Sequence, residues 1–125
     1  MGTSFLFKSF KILSFAVIIL GIIHDIATFS PLIRQGLSTL SKDDFNAVIF
    51  MSLGTGTSFI LSGLLLYTVH NIKIAFERLV LPVNMFLLFM GISAAIMMPD
   101  NPFAWISFVV MILLFTISLF MWKKG

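Results

Sequence analysis

The chain has 125 residues, of which 59% are hydrophobic and 10% are charged, with a formal net charge of +3 and a mean hydropathy of +1.11. An average soluble domain carries roughly 25% charged residues, and a soluble chain of this size would have to expose much of its apolar surface to water. The composition therefore excludes an ordinary soluble domain, the absence of cysteine excludes disulfides and thiolate sites, and the small net charge without a basic stripe argues against a nucleic-acid partner.

The first long apolar run covers residues 10–29. About 20 residues of helix cross a hydrocarbon core roughly 30 Å thick, so this run predicts a transmembrane helix. A secretory signal peptide is the alternative because two lysines flank its start, but no small-x-small cleavage pattern follows. Ser30 and Pro31 either end the helix or, with Ser30 as N-cap, begin a short interfacial helix over residues 31–37.

A second helix is predicted over residues 43–69, since Ser41 and Asp44 have the spacing of a capping box. This segment is rich in glycine, serine and threonine. Gly54, Ser58 and Ser62 recur at intervals of four and therefore line one side of the helix. Small residues at this spacing are typical of close helix packing in membranes, so we expect this face to contact another helix.

Two further helices are predicted over residues 75–98 and 103–122. In the third, Pro82 is expected to introduce a kink, and Asn84 and Gly91 are expected to lie on the side that packs against the bundle. Asn101 and the following proline have the pattern of a helix N-terminus. The whole chain, residues 1–125, is thus predicted to be one all-α domain, a polytopic membrane protein folded as an up-down bundle of four transmembrane helices.

The distribution of basic residues predicts the orientation of this bundle. The side of the two termini holds six of them: Lys8, Lys11, Lys73, Arg78, Lys123 and Lys124. The opposite side holds Arg34 and Lys42. Because Lys and Arg concentrate on the cytoplasmic side of membrane proteins, we predict a multi-pass protein of the cell (inner) membrane with both termini in the cytoplasm.

His24 and Asp25 are ionisable neighbours late in the first apolar run. A charged carboxylate near the centre of a bilayer costs about 2.5 to 3.5 kcal/mol on insertion scales, so such residues are expected to face a protein interior, a partner or water. His24 and Thr28 are four residues apart and share a helix face with Gly21, whereas Asp25 points about 100° away. The two ionisable groups are therefore expected to contact different neighbours.

The second helix runs antiparallel to the first, so residues 51–57 are expected at the depth of His24 and Asp25, with Thr55 and Thr57 as hydrogen-bonding partners. Two interpretations stay open. In one, His24, Asp25, Thr28 and Thr55 form a pocket in the outer half of the membrane that binds a polar ligand or passes a proton. In the other, their hydrogen bonds only set the register of the helices.

Catalytic and metal sites are not predicted. His24 is expected in the outer half of the membrane and His70 at the cytoplasmic end of the second helix, as a solvated residue, so we do not expect the two to ligate one haem. No cluster has the spacing of a metal site or of a catalytic constellation. We predict no cofactor. The 15 phenylalanines and eight methionines are interpreted as lipid-facing and packing residues, with an apolar cleft for a quinone or lipid as the alternative.

Four short spans, a G-x-x-H element at Gly21 to His24 and a Gly/Ser/Thr-rich second helix resemble the small bacterial membrane proteins grouped as DoxX-like. The chain has no arginine early in the first helix, where DoxX proteins carry one, so their redox role is not carried over. A second resemblance, to the small multidrug-resistance transporters, implies a proton-coupled transporter that works as a dimer with Asp25 as the coupling acid.

From these features we predict an accessory or complex-forming subunit without catalysis of its own, with membrane lipid and a homo-oligomer or larger membrane complex as partners. The transporter is the alternative. An enzyme acting on lipid or quinone is a third class, which would need a cofactor or a second carboxylate inside the bundle.

Overall fold

The computed structural model of the protein describes residues 3–69 and 76–124, which form helices joined by short turns. Four of these helices are long and apolar enough to cross a membrane. This confirms the predicted all-α class and the predicted number of apolar helices. The helices are α1 (Thr3–Thr28), the short α2 (Pro31–Gly36), α3 (Lys42–Val69), α4 (Leu81–Met97) and α5 (Pro102–Lys124), and a π-helical turn, Phe76–Val80, leads into α4.

The helix ends follow from local chemistry. The Oγ atom of Ser30 accepts a hydrogen bond from the backbone N–H of Ile33 at 3.4 Å, which starts α2 as predicted. Before α3, Ser41 Oγ accepts from the Asp44 N–H at 3.2 Å and donates to the Asp44 carboxylate at 2.6 Å. Before α5, Asn101 Oδ1 accepts from the Phe103 N–H at 3.0 Å. Each cap satisfies backbone donors that the first helical turn leaves without a partner.

One helix boundary and the expected kink at Pro82 differ from the predictions. Helix α1 begins at Thr3 rather than at residue 10, because Leu6 and Phe10 are buried in the core and hold the first turns against the bundle. Near the expected kink at Pro82, the chain forms the π-helical turn Phe76–Val80. Proline has no N–H and its ring crowds the carbonyl four residues earlier, so a wider turn ahead of it relieves that contact. The predictions for His70, for Lys73 and for a start at residue 75 lie outside the described residues.

The long helices form two antiparallel pairs, and α1 connects one pair to the other. Helix α1 packs along α3, α4 packs along α5, and α1 also contacts α5, whereas the described parts of α3 and α4 touch little. We call the end of the bundle that holds α2 and the α4–α5 turn the α2 end, and the end that holds the first turns of α1 the terminal end. Helix α1 therefore lies between α3 and α5, just as α5 lies between α1 and α4.

The core is apolar and the outer surface is apolar too. Buried side chains from all four long helices meet in one cluster that includes Phe10, Val17, Phe59, Leu66, Leu87, Met111 and Leu114. Large apolar side chains also point outward on every long helix, for example Ile26, Phe50, Phe89 and Ile106. Exposed apolar surface on all sides suits a bundle surrounded by acyl chains.

Three glycines bring α1 and α3 into close contact. A β-carbon at Gly21 would lie 2.5 Å from the carbonyl oxygen of Gly56, and one at Gly63 would lie 2.8 Å from the carbonyl oxygen of Ser14. A β-carbon at Gly56 would overlap the Asp25 carboxylate. Without side chains at these points the two backbones approach each other directly, as small residues allow in membrane bundles.

The other residues predicted for helix packing fall in different places. Gly91 lies against α5, where a β-carbon would be 3.1 Å from the Cα atom of Phe108. Asn84 is buried and donates to Ser118 Oγ on α5 at 2.6 Å. Gly54 is exposed, with no atom within 4 Å of where its β-carbon would be, and Ser58 and Ser62 are half-buried. The side of α3 that meets α1 is instead the one that carries Gly56 and Gly63.

We predict that Gly63→Ala destabilises the bundle and that Gly54→Ala does not. The methyl group at residue 63 would push α1 and α3 apart, at a cost of about 1 to 3 kcal/mol typical of overpacking. At residue 54 it meets no neighbour and stabilises the helix by up to about 1 kcal/mol. Unfolding by sodium dodecyl sulfate in micelles, followed by tryptophan fluorescence, measures both changes. Equal effects of the two substitutions would contradict this description of the α1–α3 contact.

Candidate functional site

A cavity of about 450 Å³ opens at the α2 end. It lies among α1, α2, α3 and the α4–α5 turn. Most of its wall is apolar, with Ile23, Ile33 and Phe103 among the lining residues. Four polar side chains also line it: His24, Thr28, Ser52 and Asn101. A mostly apolar cavity with a few convergent polar groups is the usual form of a small-molecule site.

Three of these polar side chains form one hydrogen-bonded chain between α1 and α3. His24 Nε2 lies 3.2 Å from Ser52 Oγ, and Ser52 Oγ lies 2.6 Å from Thr28 Oγ1. Thr28 Oγ1 donates to the backbone carbonyl of His24, one turn earlier in α1, at 2.9 Å. The chain therefore starts and ends on the same residue and ties α3 to the last turns of α1.

Aromatic rings hold the imidazole from two other sides. The centroid of the His24 ring lies 6.5 Å from that of Phe59 on α3 and 6.1 Å from that of Phe103 on α5. Both ring pairs are tilted. Because α3 and α5 each supply one ring, the imidazole occupies the place where α1 meets both of its neighbours.

Asp25 lies on a different part of the α1–α3 contact. Its carboxylate rests against the backbone of Gly56, and its Oδ1 atom is buried without a hydrogen-bond partner among the described residues. Its Oδ2 atom accepts from Thr57 Oγ1 at 3.5 Å, a distance at which hydrogen bonds are weak. The carboxylate is therefore poorly compensated for its burial, unlike the imidazole beside it.

The structure brings His24 and Thr28 together and separates them from the other two residues predicted for this site. Asp25 does not line the cavity. Thr55 does not line it either, and its hydroxyl donates to the Met51 carbonyl within α3 at 3.0 Å. Ser52 takes the place in this site that the sequence analysis gives to Thr55, whereas Thr57, the other expected partner, does contact Asp25. The sequence predicts that residues 51–57 lie at the depth of His24, and Ser52 is within this range. Nothing in the spacing of the polar residues distinguishes Ser52 from its neighbours.

Other buried polar groups lie away from this cavity. Ser118 Oγ, which accepts from Asn84, donates to the Leu114 carbonyl at 2.7 Å. The Oδ1 atom of Asn84 and the hydroxyl of Ser107 are buried and lack a partner within the part of the chain that the structure describes. These groups belong to the α4–α5 half of the bundle.

A second cavity, of about 360 Å³, lies at the terminal end between α1 and α3. Lys8, Lys11, Ile12, Phe15 and Tyr67 line it, and the Lys11 ammonium lies 4.7 Å from the centre of the Tyr67 ring. Two cations above an apolar wall have the chemistry of a contact with an anionic lipid headgroup.

No set of three histidine, cysteine, aspartate or glutamate side chains within residues 3–69 and 76–124 is arranged to hold a metal ion. Comparisons with models of protein families, with curated proteins and with solved structures find no match to this chain. The DoxX-like resemblance therefore stays a prediction. The fold and the site show a four-helix bundle that is compatible with a multi-pass membrane protein and that has a polar cluster at one end.

Proposed function

We propose that the chain is a multi-pass protein of the cell (inner) membrane with both termini in the cytoplasm. The four long apolar helices support insertion, because together they offer lipid an apolar surface and keep their backbone hydrogen bonds internal. Six of the eight basic residues surround the terminal end in sequence, against two near the α2 end, and this asymmetry supports the orientation. The cavity beneath Lys8 and Lys11 suits membrane lipid as a direct partner.

Single cysteine substitutions test this orientation. Because the chain contains no cysteine of its own, labelling of the protein reports only on the introduced thiol. Thr39→Cys lies in the exposed turn after α2, and Ser4→Cys lies in the exposed first turn of α1. We predict that a membrane-impermeant maleimide labels Thr39→Cys in intact cells, and that it labels Ser4→Cys only after the membrane is permeabilised. Labelling of both variants from outside, or of Ser4→Cys alone, would contradict the proposed topology.

We further propose that the protein is an accessory subunit without catalysis of its own, which holds a small amphipathic molecule in the cavity around His24. The observation that carries this proposal is the meeting of His24, Thr28 and Ser52 in an otherwise apolar wall. The volume of about 450 Å³ lies within the range of roughly 300 to 1,000 Å³ found for ligand pockets. A homo-oligomer or a larger membrane complex is the proposed setting.

Native mass spectrometry from mild detergent tests the cavity and the assembly together. We predict that the wild-type chain retains a small-molecule adduct and that Ala27→Phe loses it, because Ala27 lines the cavity and a phenyl ring would fill it. The matched control is Ala47→Phe, an exposed α3 position that does not line the cavity, which should keep the adduct. An adduct that survives Ala27→Phe would contradict the cavity assignment. A lone monomer would contradict the accessory assignment.

Proton-coupled transport by a dimer is the second candidate, and a separate observation favours it. The Asp25 carboxylate is half-buried in the α1–α3 contact, its Oδ1 atom has no partner among the described residues, and its bond to Thr57 is long. An ionisable group within a membrane span that is poorly compensated is a frequent component of a proton pathway. In this alternative Asp25 binds and releases the coupling proton.

Proteoliposomes containing a trapped pH-sensitive dye test the alternative. Under the transport hypothesis, we predict that Asp25→Asn abolishes proton flux, because an amide cannot bind and release the coupling proton. Asp43→Asn, which changes an exposed acid in the first turn of α3, should leave proton flux unchanged. Flux that is absent from the wild-type protein, or that persists in Asp25→Asn, would count against transport.

A further inference from the structure

The hydrogen-bonded chain at His24 has one consistent direction. A hydroxyl carries one proton, so each of Thr28 and Ser52 donates once. Thr28 donates to the His24 carbonyl, and its contact with Ser52 at 2.6 Å must therefore be made by the Ser52 proton. Ser52 then has no proton left for His24, so the contact at 3.2 Å is a donation from His24 Nε2–H to Ser52 Oγ.

The reverse direction leaves one close oxygen pair without a proton between its two atoms. If Ser52 donated to His24 Nε2, its contact with Thr28 would need the Thr28 proton. The contact between Thr28 Oγ1 and the His24 carbonyl at 2.9 Å would then lack one. All three contacts are hydrogen bonds only when His24 Nε2 is protonated and donates.

This direction decides what the cavity offers a ligand. In the neutral imidazole with a proton on Nε2, the Nδ1 atom keeps an acceptor lone pair, and no described residue donates to it. The hydroxyl protons of Ser52 and Thr28 are already donated to other atoms of the protein, and both hydroxyl oxygens keep acceptor lone pairs as well. The α1–α3 wall of the cavity therefore presents acceptors, while its donors are used within the protein.

We infer that the cavity selects an amphiphile whose head group donates a hydrogen bond, such as an alcohol or an amine, over one whose head group only accepts. This inference rests on the proposed binding function and names the chemical class of its ligand. The apolar lining, including Ile23 and Phe103, receives the hydrocarbon body. The carbonyl oxygens of a quinone or a ketone have no proton to donate. They would face the acceptor lone pairs of the α1–α3 wall without forming a hydrogen bond.

Asn101 adds a complementary contact at the exposed rim. Its Oδ1 atom accepts from the Phe103 N–H, which directs the amide N–H groups away from the helix cap. The Nδ2 atom lies 4.0 Å from the sulfur of Met98, a weak contact that a ligand oxygen can replace. A hydroxyl both donates and accepts, so it can satisfy the α1–α3 wall and the rim at once.

Nitrogen-15 NMR of the imidazole in micelles tests the inference directly. His70→Gln leaves His24 as the one histidine of the full-length chain, provided that no histidine tag is present. We expect the tautomer protonated on Nε2. We also expect titration with 1-decanol to shift the Nδ1 resonance with about three- to tenfold higher affinity than titration with 2-decanone, the range that one net hydrogen bond supplies.

Ser52→Ala supplies the matched variant, with Thr55→Val as control. Without Ser52 the imidazole loses the acceptor that fixes its tautomer, so the preference for the alcohol should fall towards equal binding. Thr55→Val removes a hydroxyl that bonds only within α3 and should keep the preference. The comparison of alcohol with ketone in the protein that retains Ser52 stands even where Ser52→Ala fails to fold.

The outcomes separate this inference from the proposed function. A proton on Nδ1 instead of Nε2, or equal binding of the two probes, would overturn the selectivity while leaving a binding cavity in place. No shift with either probe, together with no adduct in native mass spectrometry, would overturn both. An Nε2-protonated ring that responds to the alcohol more strongly than to the ketone supports both.

Discussion

The close contact of α1 with α3 at three glycines is the constraint on which the rest of the structure depends. Because Gly21, Gly56 and Gly63 leave no side chain between the helices, the backbones come near enough for short polar side chains to bridge them. A serine on α3 can then reach an imidazole on α1 directly. With larger residues at these points, the two helices would move apart and His24 and Asp25 would lose their neighbours on α3.

The two ionisable neighbours differ because of what α3 offers each of them. His24 meets a serine and enters a chain of hydrogen bonds in which every hydroxyl proton is used. Asp25 meets the backbone of Gly56, whose N–H and carbonyl already belong to the helix, and its one side-chain contact is long. The imidazole is therefore held in place as part of the cavity lining. The Asp25 carboxylate, in contrast, keeps one oxygen atom that has no hydrogen-bond partner among the described residues. Of the two proposed functions, ligand binding rests on His24 and proton transfer rests on Asp25.

The bundle is asymmetric, and this asymmetry positions the cavity. Helix α1 contacts α3 and α5, whereas the described parts of α3 and α4 touch little. The α4–α5 pair has its own polar contact, Asn84 with Ser118, towards the terminal end. At the α2 end, the cap that starts α5 places Phe103 beside His24, and Ile33 of α2 lines the same cavity. The cavity thus depends on the separate contacts of α1 with α2, α3 and α5 rather than on any single pair of helices.

Much of this protein could be predicted from its sequence because the responsible forces are local. The number of long helices follows from the apolar runs, and the helix starts at Ser30, Ser41 and Asn101 follow from side chains within one turn, whereas the early start of α1 depends on burial in the core. The separation of His24 from Asp25 follows from helical periodicity alone. Which face of α3 meets α1 was decided only by the tertiary structure. Glycine, serine and threonine occur on several sides of this helix, so spacing by four fits more than one face. The rotation about its axis is set by the packing of the whole bundle, and that rotation selects Gly56 over Gly54 and Ser52 over Thr55.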